Sequence, residues 1–431
     1  MTIDMNFKLL CYEGLWRTLS AFVRFLALFS QKLAAHWAAR LEAESVVMAW
    51  ARLRSRYPKC FLFVCSSAGE YEQAKPLLKR LQTRGDTAVF ILFFSPSGIK
   101  FARSQKETIP FALVASDRPS YWRNLAVELR PDACIFVRYE LWPGMVHTLK
   151  SFAPLFLVDG VEALHLRKKL VARSLRASLL RPMKKIFLVS ASDEEFYKDV
   201  LRCPGDKLSV TGDSKYDRVL ERIEERQDAL SRLQLSLKNF LAGRRIIVIG
   251  SAWQRDLQEF MIIYRQLREL DPKIAIIVAP HDLSAENIAT MQKMLEGVRV
   301  CRVSTDGYDR ASATDEFLLV DVLGDLPELY GCAHLAWVGG ALHYRVHNVL
   351  EPACRGLYLC FGPMFETSQE AKVLVGQGLA RVIHNGHEFY RWYKNLSWTT
   401  QPPHQAMWQA VVEQKGASDR IMQEIAATWQ K

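Results

Sequence analysis

No Cys-x-x-Cys pair and no paired Cys/His spacing occurs in this chain, which argues against a structural zinc site. Its nine cysteines (Cys11, Cys60, Cys65, Cys134, Cys203, Cys301, Cys332, Cys354, Cys360) are scattered and odd in number. Several sit inside apolar runs, where a thiol behaves as a small hydrophobe, and the pattern reads as a reducing compartment. No Asp-x-Asp pair stands at a strand end, where it would hold a divalent metal with a nucleotide, so a metal-free and cofactor-free site is expected. The N-terminus has no signal-peptide form. A spanning helix needs about 20 mostly apolar residues, and Lys8, Glu13, Arg17, Arg24 and Lys32 interrupt every candidate. No short repeat or low-complexity tract appears.

What is present is an ordinary globular composition. The 431 residues are 49% hydrophobic and 24% charged, too long for one ordinary core, so two domains are expected. The formal net charge of +11 points to an anionic partner.

The N-terminal segment is rich in large apolar residues at spacings of three and four: Leu15, Trp16, Leu19, Phe22, Val23, Leu26, Phe29, Leu33 and Trp37. Arg17, Arg24 and Gln31 lie seven apart on another face. This pattern is an amphipathic helix with a basic stripe, suited to a membrane interface, or else a helix packed on the protein's own core.

Apolar runs at 60–65, 87–94, 133–137, 154–158 and 186–189 alternate with helical patterns at 71–83, 97–106, 119–129 and 192–201. This is the signature of parallel βαβ units. The alternation restarts at 246–249 and continues through 274–279, 298–303, 317–320, 334–338 and 357–361. The expected fold is therefore α/β, with two Rossmann-like doubly wound domains facing across a cleft in the GT-B arrangement. The boundaries read as a membrane-interface segment at 1–45, an N-terminal domain at 46–215, a connector at 216–242, a C-terminal domain at 243–390 and a helical tail at 391–431. The aromatic-rich stretch 386–431 is placed to cross back to the first unit.

Two places carry chemistry. The first is the small-residue turn Ser66-Ser67-Ala68-Gly69-Glu70, between the run CFLFVC and a helical pattern. In open α/β sheets ligands bind outside the carboxyl ends of the strands, and a carboxylate there is a candidate general base. The alternative is a helix-start glutamate that only complements the dipole. The second is segment 321–363, where Gly324, Gly339-Gly340, His347-Asn348, Glu351-Pro352 and Gly362-Pro363 follow one another. A Gly pair lets backbone approach a ligand, and a helix start offers N–H groups to a phosphate. Glu351, in that helix's first turn, is a candidate acceptor for two ribose hydroxyls.

These motifs, in order, resemble the 3-deoxy-D-manno-octulosonic acid (Kdo) transferases of lipopolysaccharide synthesis, over roughly residues 58–385. The family's Ser-x-Gly-Glu is similar to Ser67-Ala68-Gly69-Glu70, its Ser-Pro-Ser-Gly to Ser95-Pro96-Ser97-Gly98, and its Glu-Leu-Trp-Pro to Glu140-Leu141-Trp142-Pro143. Its Gly-Asn-Leu-Lys-Phe-Asp is similar to Gly212-Asp213-Ser214-Lys215-Tyr216-Asp217, its Gly-Ser to Gly250-Ser251, and its His-Asn-x-x-Glu-Pro to His347–Pro352.

The resemblance implies an inverting transferase that takes Kdo from CMP-Kdo to a lipid A precursor. It implies a peripheral protein on the cytoplasmic face of the bacterial inner membrane, with an anionic membrane surface as partner and no nucleic acid. It implies Glu70 as the essential acid, read as general base, with Glu140 as its catalytic partner. Gly250, Ser251, His281, Gly324, Asn348 and Glu351 are the donor-side candidates. Ser67, Gly69, Ser95 and Arg138 are the acceptor-side candidates. Lys215 is a further candidate for a sugar carboxylate.

The chain departs from the family pattern at several points. Arg345-Val346 stand where two glycines are usual, and Arg138 where a carboxylate is. Pro280-His281-Asp282 replaces Pro-Arg-His, Asp159-Gly160-Val161 replaces Asn-Ala-Arg, and Val64 stands where a His is often found. Two other readings stay open: a GT-B transferase or epimerase acting on another sugar nucleotide, and a catalytically impaired homologue that binds a nucleotide or lipid.

Overall fold

The computed structural model describes residues 5–30, 40, 46, 49–163, 165–398 and 404–428. The chain divides into two compact units, Met1–Arg218 with Lys415–Lys431, and Val219–Gln414.

The first unit is built on a seven-stranded sheet, β1 (Lys59–Cys65), β2 (Thr87–Phe93), β3 (Phe111–Leu113), β4 (Ala133–Val137), β5 (Leu155–Gly160), β6 (Lys185–Leu188) and β7 (Leu208–Val210). The spatial order is β3-β2-β1-β4-β5-β6-β7 and every pair is parallel. Continuous apolar runs make central strands because helices cover both faces of a parallel sheet. Phe61, Phe63, Phe90, Phe93, Phe136 and Phe156 are fully buried accordingly. The order reverses direction between β1 and β4, so a crevice opens beyond their carboxyl ends. Glu70 follows β1 and Glu140 follows β4.

The second unit repeats the plan with β8 (Arg245–Ala252), β9 (Ile274–Pro280), β10 (Val300–Arg302), β11 (Phe317–Leu319), β12 (Leu335–Val338), β13 (Tyr358–Phe361) and β14 (Ala380–Val382). Its order is β10-β11-β9-β8-β12-β13-β14, again all parallel. Its switch point lies between β8 and β12, beside Ser251 and the Gly339-Gly340 pair. The short strands β3, β7 and β14 were not among the expected runs.

The division between units corrects the boundaries drawn from sequence. It falls at 218/219, and 219–242 is not a free-standing connector. Leu230 and Leu233 bury one face of the helix Gln227–Ser236, Leu230 packing where a Cβ on Gly331 would stand, and Arg226 pairs with buried Glu328 at 2.8 Å, all within the second unit. The expected 391–431 tail is likewise split. The helix His404–Val412 belongs to the second unit, while 415–431 belongs to the first. There Asp217 accepts from the N–H groups of Gly416 (2.6 Å) and Ser418 (2.7 Å), Arg80 pairs with Asp419 at 2.5 Å, and Ile421 and Ile425 join the core.

In the N-terminal segment a helix spans Met5–Ala27. Gln31, Leu33 and Trp37 of the expected amphipathic pattern lie outside the described residues, as does Lys32. No helix among the described residues is long and apolar enough to cross a membrane.

Candidate functional site

In the first unit the turn after β1 runs directly into the helix Ala68–Gln82, with Ser67 at its N-cap and Glu70 three residues in. The Glu70 carboxylate accepts the backbone N–H of Ser66, the residue before the N-cap. The Ser67 side chain makes no cap bond. Glu70 thus ties down the turn that enters the helix, and its carboxyl is also buried near a second acid. Burial pushes its pKa up, and the charge of Glu140 adds to that, against the lowering effect of Ser66 and Ser67. A raised carboxyl pKa suits a group that must take up a proton near neutrality. Gly69 faces open space, for a Cβ there would meet only Ser67 Oγ, at 3.9 Å.

Neighbouring loops close around this turn. Ser95 N–H donates to Ser66 O at 2.9 Å, and the Ser95 side chain caps the helix Pro96–Ser104 by accepting from Ser97 N–H at 3.3 Å. Phe94 stacks on Trp142 at 5.4 Å, and Trp142 donates its indole N–H to Glu140. Ser66, Ser67, Ser95, Glu70 and Glu140 therefore belong to adjoining loops at one sheet edge.

Arg138, an acceptor-side candidate, pairs its guanidinium with Asp213 at 2.6 Å. Arg138 and Asp159 both take the left-handed conformation, with φ of 58° and 53°. Such conformations are uncommon for residues other than glycine and cluster at functional sites.

Asp117 is a residue that the sequence reading missed. It is buried and accepts from Gly144 N–H (2.9 Å), Met145 N–H (2.8 Å), Trp122 Nε1 (2.8 Å) and Tyr12 OH (2.8 Å). It thereby caps the helix Pro143–Leu149 and holds the Glu140–Trp142 loop. Gly144 is required here, because a Cβ would lie 1.9 Å from Asp117 O. Burial outweighs these donors and pushes the Asp117 carboxyl up to about 6. The only sequence signal was an acid two residues before Pro119.

In the second unit Ser251, at the end of β8, has φ of 50°. It leads to Trp253, which caps the helix Gln254–Leu270. Asp256, also missed, is fully buried and accepts from Trp253 N–H and Gly340 N–H, both at 2.9 Å, so it ties the loop after β8 to the loop after β12. Three glycines here are required by packing within the protein. A Cβ on Gly250 would meet Tyr330 OH at 2.0 Å, on Gly339 the Ser251 carbonyl at 2.4 Å, and on Gly340 the Arg345 carbonyl at 2.4 Å. Their missing side chains are filled by the protein itself.

Trp253 donates its indole N–H to His347 Nε2 at 2.9 Å, and His281 stacks on His347 with ring centroids 4.2 Å apart. His347 is held neutral, its pKa pushed down to about 4 by burial and then by the charges of His281, Arg345 and His343. Next to this stack a cavity of about 520 Å³ is lined by Trp253, Gln254, Arg255, Asp282, Asn287 and His343. Glu351 and Gly324 do not line it. Asn348 uses its carbonyl to accept Leu350 N–H at 3.1 Å, which leaves its amide N–H groups for another partner. Glu351 faces Arg222 at 3.4 Å, and Gly324, with φ of 107°, offers its carbonyl to Arg226 at 3.4 Å.

Residues 35–218 match the family model of 3-deoxy-D-manno-octulosonic-acid transferase (kdotransferase). A 3-deoxy-D-manno-octulosonic acid transferase of Haemophilus influenzae is 25% identical over 307 residues, covering 68% of this chain and 68% of the relative. Among solved structures, a putative UDP-N-acetylglucosamine 2-epimerase from Listeria monocytogenes superposes with a TM-score of 0.59 at 13% identity, over 86% of this chain and 96% of that one. A glycosyltransferase from Rickettsia africae gives 0.56 at 12% identity, over 86% and 98%. Two parallel-sheet units of this kind define the GT-B Rossmann-like class, and the chain is a glycosyltransferase. Within that class its residues 35–218 are similar to the Kdo transferase family, and the chain is a distant relative of the Haemophilus influenzae enzyme.

Proposed function

We propose that this chain transfers Kdo from CMP-Kdo to a lipid A precursor, with inversion, as a step of lipopolysaccharide synthesis. The observation that carries the reading is Glu70: a buried carboxyl with a raised pKa, close to Glu140, at the β1/β4 switch point. Glu70 removes the proton from the acceptor hydroxyl as its oxygen attacks the anomeric carbon of the donor. The bond from that carbon to the phosphate of CMP breaks, and CMP leaves with the electron pair. A single displacement of this kind inverts the centre. Glu140 raises the basicity of Glu70 through its charge. Ser67, Gly69 and Ser95 line the acceptor side.

On the donor side Ser251 and the Asn348 amide meet the phosphate, Glu351 meets the ribose, and His281 and the stacked His347 border the sugar. Gly250 and Gly324 serve by shaping the loops. Arg138, already paired with Asp213, acts on the acceptor side through its loop.

The surface of the first unit supports action at a membrane. On the helix Met5–Ala27, Leu15, Leu19, Phe22 and Phe25 are exposed, while Tyr12 and Glu13 face the unit and bind Asp117 and Ser120. A second exposed apolar set, Leu170, Val171 and Leu175, lies among Lys168, Lys169 and Arg173. Apolar side chains among cations suit anionic lipid, which supports a peripheral position on the cytoplasmic face of the inner membrane.

The deciding experiment incubates the protein with CMP-Kdo and a lipid A precursor and follows the product by mass. CMP-Kdo is also compared with UDP- and GDP-sugars for the ability to raise the melting temperature. Kdo-bearing product with wild type and none with Glu70→Gln is expected. Stabilisation by a UDP-sugar alone, without Kdo transfer, favours the epimerase-like reading instead.

A further inference from the structure

Ser214, fully buried after β7, has one hydroxyl proton and two neighbours that accept. Its Oγ lies 2.9 Å from the main-chain carbonyl of Gln73 and also within hydrogen-bond reach of Asp159 Oδ2. The Gln73 carbonyl can only accept. If Ser214 donates to it, the proton between Ser214 Oγ and Asp159 must come from Asp159. The other Asp159 oxygen accepts Ser214 N–H at 3.0 Å.

The surroundings agree. Asp159 is fully buried at the end of β5. Arg138, the cation whose charge bears on Asp159, pairs with the second acid, Asp213, at 2.6 Å. One guanidinium beside two buried carboxyl groups balances only one negative charge. Burial and the Asp213 charge both push the Asp159 pKa well up, against Arg138 and the Ser214 bonds.

We infer that Asp159 is held as a neutral carboxylic acid whose proton is donated to Ser214, and that this brace, passing through Ser214 to Gln73, positions the helix that carries Glu70. Gln73 is three residues beyond Glu70 on the helix Ala68–Gln82. Arg138, at the other end of the network, precedes Glu140 by two residues, and its own carbonyl and that of Tyr139 accept from Arg176 at 3.1 and 2.7 Å. The network therefore touches the segments of both acids. Asp159 is a positioning residue, because it acts on the reaction only through the placement of Glu70. An asparagine reproduces a protonated aspartate here: its carbonyl accepts Ser214 N–H and its amide donates to Ser214 Oγ. It also tolerates the left-handed conformation of the site.

The inference rests on Glu70 as the base, and its test separates the two. Infrared difference spectra of wild type against Asp159→Asn, at neutral pH, should show the carbonyl band of a protonated carboxyl in the wild type alone. In the transfer assay Asp159→Asn should stay within about threefold of wild type. Ser214→Ala should lower kcat by about ten- to a hundredfold with KM little changed, the scale expected when a group is misplaced from a distance. Hydrogen exchange across Ser66–Leu77 should rise in Ser214→Ala and not in Asp159→Asn. Absence of the infrared band overturns the neutral acid. An Asp159→Asn variant as damaged as Ser214→Ala, or a Ser214→Ala variant with unchanged exchange, overturns the brace. Should the wild type transfer no Kdo, the functional reading fails, while the infrared band and the exchange pattern still decide this one.

Discussion

Tyr12 donates its phenol proton to Asp117 at 2.8 Å, so the N-terminal helix is fastened to the same carboxylate that caps the helix behind the Glu140 loop. Glu13 adds a second tie by accepting from Ser120 N–H at 2.9 Å and from its hydroxyl at 2.7 Å. One side of the helix Met5–Ala27 is thus part of the first unit, and its exposed side is free to meet something else.

Asp117→Ala should destabilise the first unit by about 3 kcal/mol, because it leaves the N–H groups of Gly144 and Met145 and the indole of Trp122 buried without an acceptor. Tyr12→Phe should cost only about 1 kcal/mol, the ordinary worth of one hydrogen bond. Urea unfolding of the two variants checks the order. Equal midpoints would show that Asp117 is not a hub.

Glu70→Gln should preserve the fold and donor binding while removing nearly all transfer. The amide keeps the shape of the side chain but cannot take up the acceptor's proton, and general base catalysis is worth about 10²–10⁴-fold. More than about a tenth of the wild-type rate would exclude Glu70 as the base.

Glu351→Ala should weaken CMP binding by about ten- to a hundredfold, as expected for loss of a charged acceptor worth roughly 1.5–3 kcal/mol. Its ion pair with Arg222 provides the control. Arg222→Met should leave CMP affinity nearly unchanged if Glu351 contacts the ribose. Calorimetry in which both variants weaken equally, or neither does, would assign Glu351 to the ion pair alone.

Replacing Leu15, Leu19 and Phe22 together by Ser should lower binding to anionic vesicles by more than about tenfold, since each buried apolar side chain contributes about 1.5–3 kcal/mol. The Tyr12 and Glu13 ties stay intact, which makes this a cleaner test than deleting residues 1–40. Binding of the intact protein should also fall as salt rises. Vesicle sedimentation unaffected by the triple change would place the membrane contact elsewhere.

His347 sets a pH dependence. Its folded pKa, about 4, lies below the ordinary value of about 6.5. Between these limits the unfolded chain binds a proton that the folded chain refuses, so this contribution to stability is complete above pH ~6.5 and is lost as pH falls toward 4. His347→Gln keeps an acceptor for the Trp253 indole but does not titrate. Its melting temperature should therefore fall less steeply than wild type over that window, and parallel curves would contradict the assignment.

The parallel sheets were legible because continuous apolar runs such as Cys60–Cys65 and Ile246–Ile249 have few other uses, and the Glu70 turn was legible because small residues and an acid follow such a run. Asp117 and Asp256 were not. Each is a lone acid in a polar stretch, and its role comes from N–H groups far along the chain, Gly144 for one and Gly340 for the other. Gly250, Gly339 and Gly340 were legible as special positions, and the fold adds a packing reason: Tyr330, Ser251 and Arg345 stand where their Cβ atoms would be.

The sequence by itself determined the class of fold, the two-unit plan and the strand-end position of Glu70, since these follow from local runs, periods and turn residues. The tertiary structure alone decided what the unusual residues do. Arg138, Asp159 and Asp213 lie on three separate segments and read singly as departures from the family pattern. Folding brings them to one sheet edge, where one cation stands beside two buried acids, the arrangement from which the neutral Asp159 is inferred. That balance depends on distances across the sheet, which no local pattern encodes.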